Sequence, residues 1–99
     1  MERRMPLEEL VDSKVALAAY RMAGEIGRVY EPELIERCSQ LELEPGLTLS
    51  PRDVFASVRR LQINRYLTPA EEEEWYVVNK KEIDLHWGLL KRNNLKRLS

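Results

Sequence analysis

Arg52, Arg59, Arg60 and Arg65, with Asn64 beside the last, fall within one stretch, SPRDVFASVRRLQINR over 50–65. A guanidinium offers a planar fork of donors that fits a phosphate or a carboxylate, and an asparagine amide can pair with an adenine edge or a phosphate. Asp53 alone offsets the four cations. A second cluster, Glu71 to Glu74, presents four consecutive carboxylates. Cys38 and His86 are single copies of their types, so neither a disulfide within the chain nor the usual Cys/His zinc set can be assembled. No glycine-rich phosphate loop and no nucleophile–base pair with a known context is present. The clustered glutamates belong to a polar loop, where general-acid work is disfavoured. The chemistry on offer is binding, and the expectation is a non-enzyme with no cofactor, no metal and no small-molecule substrate.

The elements that position these groups follow from periodicity. Ser50 is an N-cap, Pro51 takes the first helical position, and Asp53 stands where a capping box places its acid. Winding 51–64 at about 100° per residue puts Val54, Val58 and Leu61 on one side, with Phe55 at its edge. Arg52, Ala56, Arg59, Arg60 and Ile63 point the other way, and Asn64 lies at the margin. Upstream, Leu7, Leu10, Val11, Val15, Ala18 and Met22 form one apolar stripe on a helix over about 6–23, stopped by Gly24 and Gly27. A strand-like RVY at 28–30 leads into a second helix with Pro32 near its start. There Leu34, Cys38 and Leu41 share a face, which makes Cys38 a small core residue. ELEPGLTL reads as a break, with Pro45 and Gly46 in a turn.

Residues 65–79 admit two readings. TPAEEEEW could open a helix capped by Thr68, whereas RYL and EWYVVN carry the aromatic and β-branched residues of a hairpin. The hairpin is preferred because Asn79 can cap a fresh helix with Glu82 three residues on. In that hairpin one of Trp75 and Tyr76 faces the core and the other faces outward. The helix over 80–93 shows Ile83, Trp87 and Leu90 on one stripe and Leu85 and Leu89 on another. Two apolar sides need two covers: one can be the chain's own domain, the other a second copy of the chain or another protein, and the Ile83, Trp87 and Leu90 stripe is open to burial in the domain or at such an interface. His86 reads as a polar margin residue.

Ninety-nine residues suit one domain, expected over 1–99 with loose ends at 1–5 and 94–99. The formal net charge of −1 supplies no overall pull toward nucleic acid. The distribution matters more, because residues 80–99 carry six basic and two acidic side chains and, with 50–65, flank the glutamate run. No apolar run is long enough to span a bilayer, and MERRMPLEEL lacks the apolar core of a signal peptide. With a lone cysteine, a cytoplasmic location is expected.

The order helix, strand, helix, turn, helix, hairpin, helix describes a mainly α domain with a small β-hairpin. It matches a winged helix-turn-helix with an extra C-terminal helix. GLTLSPRDVFASVRRLQINRYLTP, continued by EWYVVN, resembles the recognition-helix-and-wing half of winged-helix transcription regulators. LSPRD with its apolar helix and hairpin is also similar to the winged-helix subunits of the ESCRT-II sorting machinery, which use the fold for protein contacts. The first resemblance implies a regulator that presents 51–64 to duplex DNA through Arg52, Arg59, Arg60, Asn64 and Arg65, and the two-sided terminal helix adds the expectation of a dimer formed through 80–92. The second implies a protein–protein interaction module. Glu71 to Glu74 weigh against the first, since a wing tip beside phosphates should be basic.

Overall fold

The stripe that begins at Leu7 forms α1 (Leu7–Ala23), with Val11, Val15, Ala16, Ala19 and Ala23 buried. The computed structural model describes residues 7–44 and 46–87. Gly27 sits at φ +76° and its N–H donates to the Ala23 carbonyl, 3.1 Å away, which closes the end of α1. Only a residue without Cβ takes that backbone cheaply. There β1 (Arg28–Tyr30) begins, and α2 (Glu31–Cys38) follows with a proline in its first turn. Leu34 and Cys38 lie at 0% exposure on its inner face. Burial pushes the Cys38 thiol up to about 11, against a smaller pull downward from Arg37.

Where the sequence suggested only a turn, two short strands pair antiparallel: β2 (Glu42–Glu44) and β3 (Leu47–Thr48), with Glu42 opposite Thr48. Gly46 turns between them at φ +84°; Pro45 lies outside the described residues. α3 (Pro51–Ile63) starts on the expected capping box. The Asp53 N–H donates to Ser50 Oγ at 3.2 Å, and the Ser50 N–H donates to Asp53 Oδ2 at 3.3 Å. Two of the donors that a helix start leaves open are thereby satisfied.

Residues 67–78 form a hairpin rather than a helix, β4 (Leu67–Pro69) and β5 (Trp75–Val78). β5 lies between β4 and β1 in an antiparallel sheet of order β1-β5-β4, with Val29 opposite Tyr76 and Thr68 opposite Val77. α4 (Lys80–Trp87) follows. Leu34, Leu61, Leu67, Val15, Val54 and Ile83 are each no more than 1% exposed, so three helices, the hairpin and α4 share one core. The described chain is thus mainly helical with a small three-stranded sheet. Among the described residues no helix is long and apolar enough to cross a membrane.

Ile83, named for an interface while burial in the domain also stayed open, is a core residue with 0% exposure. Trp87 is half-buried within the same domain, its ring 5.0 Å from Tyr66 and 4.4 Å from His86. One side of α4 is therefore covered by its own chain. Leu85, on the other side, is 67% exposed. Leu89, Leu90, the remainder of the 80–93 segment and both expected loose ends lie outside the described residues.

Candidate interaction face

Two adjacent arginines on α3 meet different fates. Arg60 Nε donates to both carboxylate oxygens of Asp12 at 3.1 and 3.0 Å, and Nη2 donates to Oδ1 at 2.8 Å. Ser57, itself fully buried, donates its hydroxyl to the same Oδ1 at 2.6 Å. The hydrogen bond to Asp12 raises the Arg60 pKa more than burial lowers it, and the neighbouring carboxylates of Asp12, Glu8 and Asp53 add to the rise. The Arg60 and Asp12 side chains are 30% and 15% exposed, so this fork lies at the edge of the core and joins α1 to α3. Arg60 was expected among the partner-facing arginines; the structure spends its guanidinium inside the chain. One residue is about 100° of helix, and that rotation carries position 60 off the outer face and toward Ser57.

Asn64 is used in part. Its side-chain amide donates once to the Arg60 carbonyl at 3.0 Å at the end of α3, and its second N–H and its oxygen stay at the exposed margin of the helix. Arg65 follows at φ +65°, an uncommon backbone for a residue with a side chain. Its carbonyl accepts from the Asn79 amide, which also donates to Thr68 Oγ1 at 3.0 Å.

What remains outward is a stripe. Arg52, Phe55, Arg59 and Ile63 recur at three and four residues and so share one face of α3. Phe55 is 42% exposed and Ile63 79%. The Arg59 guanidinium lies 5.3 Å from the centre of the Phe55 ring, a cation–π contact that sequence periodicity did not anticipate. Among the described residues, Arg52, Arg59 and Arg65 form no ion pair.

A second charged region borders this face. The Glu31 N–H donates to the Glu74 carbonyl at 2.7 Å, which joins the start of α2 to the hairpin turn. Tyr76 donates its hydroxyl to Glu31 Oε2 at 2.6 Å. Burial, then that hydrogen bond, pushes the Tyr76 hydroxyl up to about 12, while Arg59 pulls it in the other direction. Arg28 pairs with Glu72 at 3.2 Å and lies 5.9 Å from the Trp75 ring, which packs on Tyr30 at 5.2 Å. Both partners of that ion pair are well exposed, so it contributes about 1 kcal/mol or less. The Tyr30 hydroxyl is raised chiefly by its hydrogen bond to Glu74. Glu71 and Glu73 are exposed, with no ion pair among the described residues.

Sequence reasoning missed Asp12, although a carboxylate next to Val11 in the apolar stripe was the signal that a cation must come to it. Comparisons with protein families, with curated proteins and with solved structures return no match for this chain.

Proposed function

We propose that this chain is a non-enzymatic winged-helix module that docks on another protein through the Arg52–Phe55–Arg59–Ile63 stripe. The order of helices, the hairpin after α3 and the sheet order β1-β5-β4 support the winged-helix reading, with residues 67–78 as the wing. The observation that carries the protein reading is the make-up of the stripe. A helix face that alternates arginine with a stacked phenylalanine and an almost bare isoleucine has the aromatic, aliphatic and arginine content of a protein interface core.

Duplex DNA is the second reading, favoured by Arg52, Arg59 and Arg65, which have no carboxylate partner among the described residues. It is weakened at three points. Arg60 is occupied within the chain, Asn64 spends one amide donor there, and the glutamate-bearing wing turn is tied at Glu74 to the start of α2. Phosphates placed beside that edge would meet carboxylates instead of releasing counterions to cations.

Replacing Phe55 or Ile63 with the photoreactive residue p-benzoylphenylalanine in expressing cells tests both readings. The expected result is a covalent adduct from 55 and 63 that protease removes and nuclease does not, with none from the control position Ile26. An adduct that only nuclease removes would transfer the conclusion to DNA. No adduct at either position would end the use of this face for docking.

A further inference from the structure

The stripe on α3 and the acidic edge next to it differ in sign and share a border. Tyr76 marks that border: its hydroxyl is held at 2.6 Å by Glu31, the first residue of α2, and α2 packs against α3. On one side lie Arg52 and Arg59, with Phe55 and Ile63 between and beyond them. On the other lie Glu31, Glu33 and the turn carrying Glu71 and Glu73, drawn together by the bond from the Glu31 N–H to the Glu74 carbonyl. The two patches are neighbours, yet the chain does not pair them with each other. Arg52, Arg59, Glu71 and Glu73 have no ion-pair partner among the described residues.

We infer that the protein partner of this face is a second copy of the same chain, related by a two-fold axis through the border, so that the α3 stripe of each copy meets the acidic turn of the other. This rests on the reading of α3 as a protein-docking face. A two-fold axis makes an interface from one patch used twice, which requires that patch to be self-complementary. Adjacent positive and negative halves satisfy the requirement, because rotation lays each half on its opposite. Pairing α3 with α3 alone does not, since it would set unneutralised arginines against one another. Reciprocal seating also takes Phe55 and Ile63 out of water, which the isolated chain leaves exposed. The contacts are surface ion pairs around a small apolar centre, so the association is reversible and weakened by salt.

Analytical ultracentrifugation of the full chain tests this across protein concentration and ionic strength. A monomer–dimer equilibrium is expected whose dissociation constant rises about tenfold or more between low salt and about 0.5 M, where screening acts within a few ångströms. Arg52→Glu with Arg59→Glu should weaken dimerisation by about tenfold or more, and so should Glu71→Arg with Glu73→Arg. All four positions are exposed, and circular dichroism checks that each variant folds. Mixed in equal amounts, the two variants should form a heterodimer, because both contacts then join opposite charges. Three results would overturn the inference: a wild-type monomer at every concentration, a dimer indifferent to the swaps, or a dimer lost in each variant and not restored on mixing. A monomer whose position 55 still cross-links to a different protein would sink the self-pairing while leaving the docking face intact.

Discussion

The two flanks of α3 differ in what happens to an arginine placed on them. On the flank toward α1, Arg60 shares the Asp12 carboxylate with the buried Ser57 hydroxyl, and its charge is consumed by the fold. On the outward flank, Arg59 has only the face of Phe55 beneath it, and Arg52 has no ion-pair partner among the described residues. The same residue type is structural at one position and available to a partner at the next. Which it becomes depends on whether a carboxylate on another helix lies within reach, and composition cannot reveal that.

The contrast predicts that stability and binding separate cleanly between the flanks. Leu61→Ala, on the buried side, should lower unfolding free energy by about 4 kcal/mol in urea denaturation, because a fully buried leucine leaves a cavity. Asp12→Ala should cost about 2–3 kcal/mol: Arg60 loses its partner and the Ser57 hydroxyl loses its acceptor. The partial exposure of Arg60 keeps that figure below the cost of breaking a fully buried pair. A loss under about 0.5 kcal/mol would mean the Asp12 fork is no more than a surface ion pair. Ser50→Ala should cost about 1 kcal/mol through loss of the cap, read as a lower midpoint with an unchanged denaturant slope. Phe55→Ser and Arg59→Ala should each change stability by only about 0.5 kcal/mol or less while reducing capture at the docking face. Equal losses of stability on the two flanks would break the comparison.

The smallest effect lies at the border between the outward stripe and the acidic edge. Tyr76 is raised from 10.0 to about 12, so the protonated hydroxyl is favoured in the folded chain. Its contribution to stability is fully present below about pH 10 and is lost as pH rises through about 12. Ultraviolet titration of tyrosinate should show Tyr30, Tyr66 and Tyr76 ionising above the ordinary tyrosine value, with Tyr76 near 12. Arg59→Ala should push that ionisation later still, because Arg59 is the group that opposes the rise.

Much of the local architecture was legible from residue types. The Ser50–Asp53 box, the inner residues Val54, Val58 and Leu61, and the hairpin ahead of Asn79 all follow from short-range chemistry, in which the residues that decide are neighbours in sequence. The β2–β3 ribbon was not legible, because two or three residues are too few to show an alternation. Arg60 was misplaced because its partner lies 48 positions away on α1. The cover over Ile83 stayed open between its own domain and an interface for a related reason. Periodicity shows that a helix has an apolar side but not which surface covers it, and here the core of the same chain does. Of the candidate site, the outward positions of Arg52, Arg59 and Ile63 were readable. The phenylalanine beneath Arg59 lies four residues earlier on the same helix, a contact the spacing permits, whereas the closeness of the acidic edge depends on tertiary packing.

The Asn79 side chain holds the Arg65 carbonyl and the Thr68 hydroxyl together, while its own N–H reaches the Tyr66 carbonyl at 2.9 Å. The turn that follows α3 and the start of β4 are therefore fastened to the residue that opens α4. A pull or twist delivered to the start of α4 would be transmitted across that fastening to the stretch just beyond the end of the outward stripe, alongside the path through Ile83 in the core.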